Sequence, residues 1–199
     1  MSEDASMHPL VLSAAELSRK LLTPLPSRLR HTEGVVSRTP GLAKTVPTAD
    51  RPTLIAAAWL HDVGYAPQLA SCGFHPIDGA HHLESLGWSP EICALVAHHS
   101  GARFCAEIHG LGEELSSFEF TEDAVSDALT VADQTSGPQG QYLPLDERMQ
   151  NMLTRHGPDS VNARAHAQRE PYFRCAWARV AVRRLFADCA VDHRVLIAG

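Results

Sequence analysis

Histidines give this chain most of its chemical potential. There are 12 among 199 residues, and six of them lie between His61 and His99. His61-Asp62 closes the segment LIAAAWLHD, whose body is apolar on every side and so reads as a buried helix. An imidazole and a carboxylate at the end of a buried helix need partners, because an unsatisfied buried charge costs several kcal/mol even after relaxation. A divalent cation satisfies both at once, since neutral imidazole and carboxylate are good ligands for first-row metals. His31, His75, the pair His98-His99 and Asp133 are further candidate ligands, each near a helix end or on a face that can converge on the doublet.

Helices must position nearly all of these residues. Ser13 and Glu16 form a capping box that predicts the start of a first helix, ended by Pro24 and Pro26. A second helix is expected over 27–38, finished by Pro40-Gly41. A third starts near Asp50 with Pro52 in its first turn and stops at Gly64. A fourth follows Pro76 to Gly87, and a fifth runs from Ser89-Pro90-Glu91 to Gly101. Residues 101–120 read as loop with one short helix around Cys105 to Leu111, and the next helix spans Thr121 to Gln134. The breaker-rich stretch 136–144 is a loop. Helices at Pro144 to Leu153 and Pro171 to Ala190 flank Gly157-Pro158. No segment alternates cleanly enough for a strand. The expected fold is all-α, a single helical domain: an N-terminal helix (1–26), a metal-binding domain (27–135) and a C-terminal helical extension of the same domain (136–199).

The order His31, His61-Asp62, His75, His98 or His99, Asp133 resembles the HD superfamily of metal-dependent phosphohydrolases, over roughly residues 27–135. The blocks AWLHDVGY, HPIDGAHHL and ALTVADQTSGP are similar to segments of that family. The resemblance implies that His31, His61, Asp62 and Asp133 hold a first metal. It further implies that His75 and His98 or His99 hold a second, with Asp62 bridging and Asp62 and His61 at the centre of the chemistry. His98 fits an H-x-x-G reading against Gly101; His99 is the alternative. The cofactor implied is one or two divalent ions, Fe, Mn, Co, Ni or Zn, with Mg possible. The chain departs from the family at Tyr65, where a lysine often stands. Tyr65, Arg30 and Arg103 are therefore the candidates for contacting a phosphate.

The expected activity is hydrolysis of a small phosphate ester, first of all a nucleotide, by metal-activated water. A di-iron oxygenase cleaving a C–C or C–P bond, and a non-catalytic ligand-binding module, are the alternatives. Asp78, Glu84, His81 and His82 read as helix-surface residues, with Asp78 and Glu84 also able to support ligating histidines. His8, His109, His156, His166 and His193 read as solvated. Asp127 sits about 120° around its helix from Asp133 and is not expected to be a ligand. Trp59, Trp88 and Trp177 read as core.

With 44% hydrophobic and 20% charged residues, the composition is that of an ordinary globular protein. The longest apolar stretch, Leu54 to Leu60, is far below the ~18 residues of a membrane span. The first ten residues lack a basic start and apolar run, so a cytoplasmic location is expected. The five cysteines are widely scattered and read as free. The net charge of −6 disfavours a nucleic-acid polymer as partner and leaves a small molecule. The arginines at 164, 169, 174, 179 and 184 would spiral around a helix and read as a solvated face.

Overall fold

The computed structural model describes residues 5–197, with side chains to residue 189. Its described residues form α-helices and 3-10 turns, and their one β contact is an isolated bridge between Ser136 and Tyr142. The fold is all-α. None of its helices is long and apolar enough to cross a membrane among the described residues.

Two helices occupy the centre. α3 (Arg51–Leu60) buries Leu54 and the run Ala56 to Leu60, its three alanines letting neighbouring helices close in. α8 (Ala124–Gln134) buries every residue from Val125 to Gln134. α2 (Pro26–Leu42) packs on both, and α1 (Pro9–Leu22) covers α3. α4 (His75–Ser85) and α5 (Pro90–His98) pack on each other, with α5 also against α3. After α6 (Ala102–His109) and α7 (Gly112–Ser116), α9 (Leu145–His156) and α10 (Val161–Ile197) close over α8 and α6.

Several helix ends differ from expectation for identifiable reasons. α1 starts at Pro9, whose fixed φ suits a first helical position, and His8 caps it by accepting from the Leu10 amide. Ser13 and Glu16 are simply exposed on that helix. α2 continues through Pro40, where the Thr39 hydroxyl donates to the Val36 carbonyl that the proline leaves without an amide. α10 starts ten residues before Pro171, with the Ser160 hydroxyl accepting from the Ala163 amide. Stretch 101–120 holds two helices, not one.

The arginines of α10 are solvated only in part: Arg164, Arg174 and Arg184 are exposed, yet several of the set also reach partners on the domain. Arg169 donates to the Ser100 carbonyl, Arg174 pairs with Asp146, Arg179 and Arg183 neutralise the buried Asp127, and Arg184 donates to the Gly41 carbonyl. A long helix flanked by the domain on several sides uses its spiral of cations to tie itself down. Trp177 on this helix is 38% exposed, whereas Trp59 is buried. Cys93 and Cys105 are buried, Cys175 and Cys189 exposed.

Gly64 does not stop α3, which ends at Leu60. It lies in the 3-10 turn Val63–Tyr65, where a Cβ would sit 1.9 Å from the His75 carbonyl oxygen. Glycine is there so that this turn can touch α4.

Candidate metal centre

Six side chains from five helical elements meet at one point. His31, His61 and Asp133 bring one ligand atom each within 4.8 Å of one another, and so do Asp62, His75 and His99. Asp62 lies between the two groups. Its Oδ2 is 3.3 Å from His61 Nε2 and 3.7 Å from His31 Nε2; its Oδ1 is 3.4 Å from His75 Nε2 and 3.7 Å from His99 Nε2.

The outer ring nitrogens show what these histidines are arranged to do. His31 Nδ1 meets the Gly137 carbonyl at 3.2 Å, His61 Nδ1 that of Ala58 at 2.9 Å, and His99 Nδ1 that of Val96 at 2.6 Å. A carbonyl only accepts, so the proton of each neutral ring belongs on Nδ1. Each Nε2 then turns a lone pair inward. His61 Nε2 is buried without a hydrogen-bond partner, and the Nε2 atoms of His75 and His99 face each other at 3.3 Å. Lone pairs converging on two carboxylates require positive charge between them, and a metal cation meets that requirement.

The helix ends point the same way. α3, α5 and α8 all bring their C-terminal ends to the cluster, where the helix dipole is negative and favours a cation. Burial alone would push the Asp62 carboxyl up, but the Arg28 guanidinium and His61 hold it well below the usual carboxylate range. Asp133 is likewise held low despite burial, first by His31, whose Nε2 lies 3.0 Å from it, and then by His61. The Ser100 hydroxyl and the Gln134 amide both donate to Asp133 Oδ2, leaving Oδ1 toward His31 at 3.0 Å. Ser100 reaches this position at φ 50°, a left-handed conformation that a non-glycine residue adopts at some cost.

His98 does not join the cluster. Its Nε2 meets the Phe118 carbonyl at 2.9 Å and its ring stacks on Phe120, because consecutive residues at a helix end point about 100° apart. His99 is the converging histidine. Arg30 is exposed and donates to Gln139, and Arg103 pairs with Glu122; neither reaches the cluster. Tyr65 does. It is 40% exposed but stacks on His75 with ring centroids 3.9 Å apart, and desolvation of its hydroxyl together with the Asp62 charge pushes its pKa up to about 12.

Sequence reasoning missed Arg28. Its guanidinium donates to Asp62 Oδ2 at 2.7 Å and covers the Tyr65 ring at 3.9 Å. The available signal was spacing: Arg28 precedes His31 by three residues and shares its helix face, whereas Arg30 is adjacent to His31 and points elsewhere. Asp78 is buried, not on the surface. It accepts the amides of Ser71, Cys72 and Gly73 and anchors the loop that leads into α4 and His75. His109 and His156 line the cavity beside the cluster, a space of about 280 Å³. The side chain of His193 lies outside the described residues.

Metal stabilisation should grow with pH. Burial works against a charged His61, but the charges of Asp62, 3.3 Å from its Nε2, and then of Asp133 lift its pKa above the usual imidazole value. A raised folded-state pKa gives stability that is present below the unfolded value near 6.5 and is lost as pH rises through the folded value. Metal needs the neutral ring, so its benefit runs the opposite way. Burial and the neighbouring His61 and His75 push His99 down to about 3, so its ring is already neutral in this window, and burial lowers His75 as well. The melting-temperature gain on adding Mn²⁺ should therefore widen from pH 6 to pH 8 in thermal-shift measurements. A constant or shrinking gain would contradict the ligand role of His61.

No protein-family model matches the chain, and comparisons with curated proteins and with solved structures find no match either.

Proposed function

We propose that the protein is a metal-dependent phosphohydrolase of the HD type, acting on a small phosphate ester. The observation that carries this reading is the set of three imidazoles whose Nδ1 atoms meet main-chain carbonyls while their Nε2 atoms converge with Asp62 and Asp133. His31, His61 and Asp133 would hold one ion and His75 and His99 a second, with Asp62 shared. Imidazole-rich sites suit Fe, Mn, Co, Ni or Zn better than Mg, which prefers oxygen. A divalent ion bound there supplies Lewis acidity and a water nucleophile that ionises near neutral pH.

The chain's own side chains supply the rest. Arg28 donates to Asp62 and lines the cavity, where its planar fork matches two oxygens of a phosphoryl group. Tyr65 stays protonated and faces the same space as a hydroxyl donor. Ser100 and Gln134 fix one oxygen of Asp133 and so aim the other. Arginine, not lysine, stands near the doublet, and the cavity carries further cations suited to phosphate.

The test is phosphate release from a panel of sugar phosphates and nucleotides, with Mn, Co, Fe, Ni, Zn and Mg supplied separately. Release should disappear with chelator and return on adding metal back. No release with any metal, together with substrate-dependent oxygen uptake by the iron form, would overturn the hydrolase in favour of an oxygenase.

A further inference from the structure

The cavity has two walls of different origin. The His/Asp cluster comes from residues 31–133, and the facing cations come from the C-terminal helices: Arg148 and Arg155 on α9, and Arg169 on α10. None of these three arginines meets a carboxylate among the described residues. Arg148 is buried and donates to the Ser136 carbonyl. Arg169 donates to the Ser100 carbonyl and to Asn162. Arg155 has only the His156 ring, 3.3 Å away. On the same long helix, Arg174, Arg179 and Arg183 lie outside the cavity and each pairs with an acid.

This local balance inverts the global one. The chain has 23 acids against 17 lysines and arginines, yet Asp62 and Asp133 are the only carboxylates on the cavity lining among the described residues. Partial desolvation against the cavity and the nearby Arg148 and Arg28 depress Arg155, as expected for a cation set among cations. Arg28, Arg148, Arg155 and Arg169 leave two positive charges beyond the two carboxylates, before any metal is counted. Each divalent ion adds two more. A phosphomonoester dianion on the metals cannot offset that total, and its oxygens are already served by the metals and Arg28. A cleft lined by one sign of charge also focuses ligands of the opposite sign.

We infer that the substrate carries a second anionic group, remote from the phosphoryl group at the cluster, which Arg155, Arg169 and Arg148 receive. The inference rests on the phosphohydrolase reading above and narrows its substrate class. The ligand is a small phosphate ester bearing another phosphate or a carboxylate, and of a size that a space of about 280 Å³ admits. Arg148 and Arg169 are fixed by main-chain carbonyls and give a preorganised floor. Arg155, exposed and without an acid partner, is the arm that meets the incoming group.

The probes are non-hydrolysable and matched in length: propylphosphonate, with one anionic group, and 3-phosphonopropionate and ethane-1,2-diphosphonate, with two. Binding to the Mn²⁺-loaded protein is measured by titration calorimetry. The two-anion probes should bind at least about tenfold more tightly than propylphosphonate, as charge-assisted bonds to arginine imply. In Arg155→Gln that ratio should fall below about threefold. Which two-anion probe gains more tells a carboxylate from a phosphate as the second group. Equal affinity of wild type for all three overturns the second-anion inference and leaves the phosphohydrolase reading standing. Binding by none of them, with metal present, overturns both. A preference that survives intact in Arg155→Gln and in Arg169→Met also overturns the assignment to this wall. Because the wild-type comparison needs no variant, a folding defect cannot mask the result.

Discussion

Asp62→Ala should purify with less than about a tenth of the wild-type metal and lose the proposed phosphatase turnover by at least about 10³-fold. The expectation follows from the position of one carboxylate, whose two oxygens each face two histidine Nε2 atoms. No other acid can replace it, because Asp133 already spends one oxygen on Ser100 and Gln134. Removing Asp62 also strips Arg28 of its counter-ion, so some stability is lost independently of metal. Two controls separate these effects. Asp62→Asn keeps the shape and a hydrogen-bond acceptor for Arg28 but removes the charge, and it should lose metal with a smaller drop in melting temperature. His98→Ala should keep wild-type metal content, because that ring is turned toward Phe118 and Phe120. Elemental analysis of the three purified variants decides the matter, and full metal occupancy in Asp62→Ala would remove the proposed centre.

The cluster was legible in the sequence because its members sit where helix grammar is strong. His61-Asp62 ends an apolar run, His75 opens a helix before a proline, and Asp133 lies on a helix with regular apolar spacing. These signals placed each residue near a helix end or on a definite face, and the fold brings those positions together. Side-chain direction at a helix terminus was not legible. His98 and His99 point about 100° apart at the end of α5, and which of them faces the cluster depends on packing and on the turn at Ser100, a residue in the left-handed region that no local pattern announces. The cationic wall was hidden for another reason. Arg148, Arg155 and Arg169 reach the cavity only through the docking of α9 and α10, a long-range event, and the net charge of −6 spoke only against a polyanionic partner, although residues 155–199 are locally basic. Sequence periodicity does show that the arginines of α10 spiral. It does not show that one turn of the spiral looks into a cavity while the others meet Asp127 and Asp146.

Gly64→Ala should lower the melting temperature by about 6–12 °C and, in the proposed two-ion centre, cost the protein its second metal. A Cβ at this position would meet the His75 carbonyl oxygen at 1.9 Å, the Gly79 amide nitrogen at 2.6 Å and the His75 carbonyl carbon at 2.8 Å. All three are backbone atoms, so no rotamer change relieves the clash; the first turn of α4 has to move. Overpacking of this kind costs typically 1–3 kcal/mol, and backbone contacts on this scale belong at the top of that range. For a protein of this length, ~3 kcal/mol corresponds to the stated shift. His75 is itself the first residue of α4, so the same movement breaks its approach to Asp62 and its stack on Tyr65. His31, His61 and Asp133 stand on or at the ends of α2, α3 and α8, which the clash does not involve, so the first ion should stay. Metal content should therefore fall from two ions per chain toward one. Gly41→Ala is the control: nothing lies within 4 Å of its Cβ position, and in a helix alanine is the better residue, so its melting temperature should hold or rise slightly. A Gly64→Ala protein with wild-type melting temperature and two ions would show that the tight contact between this turn and α4 is not what places His75.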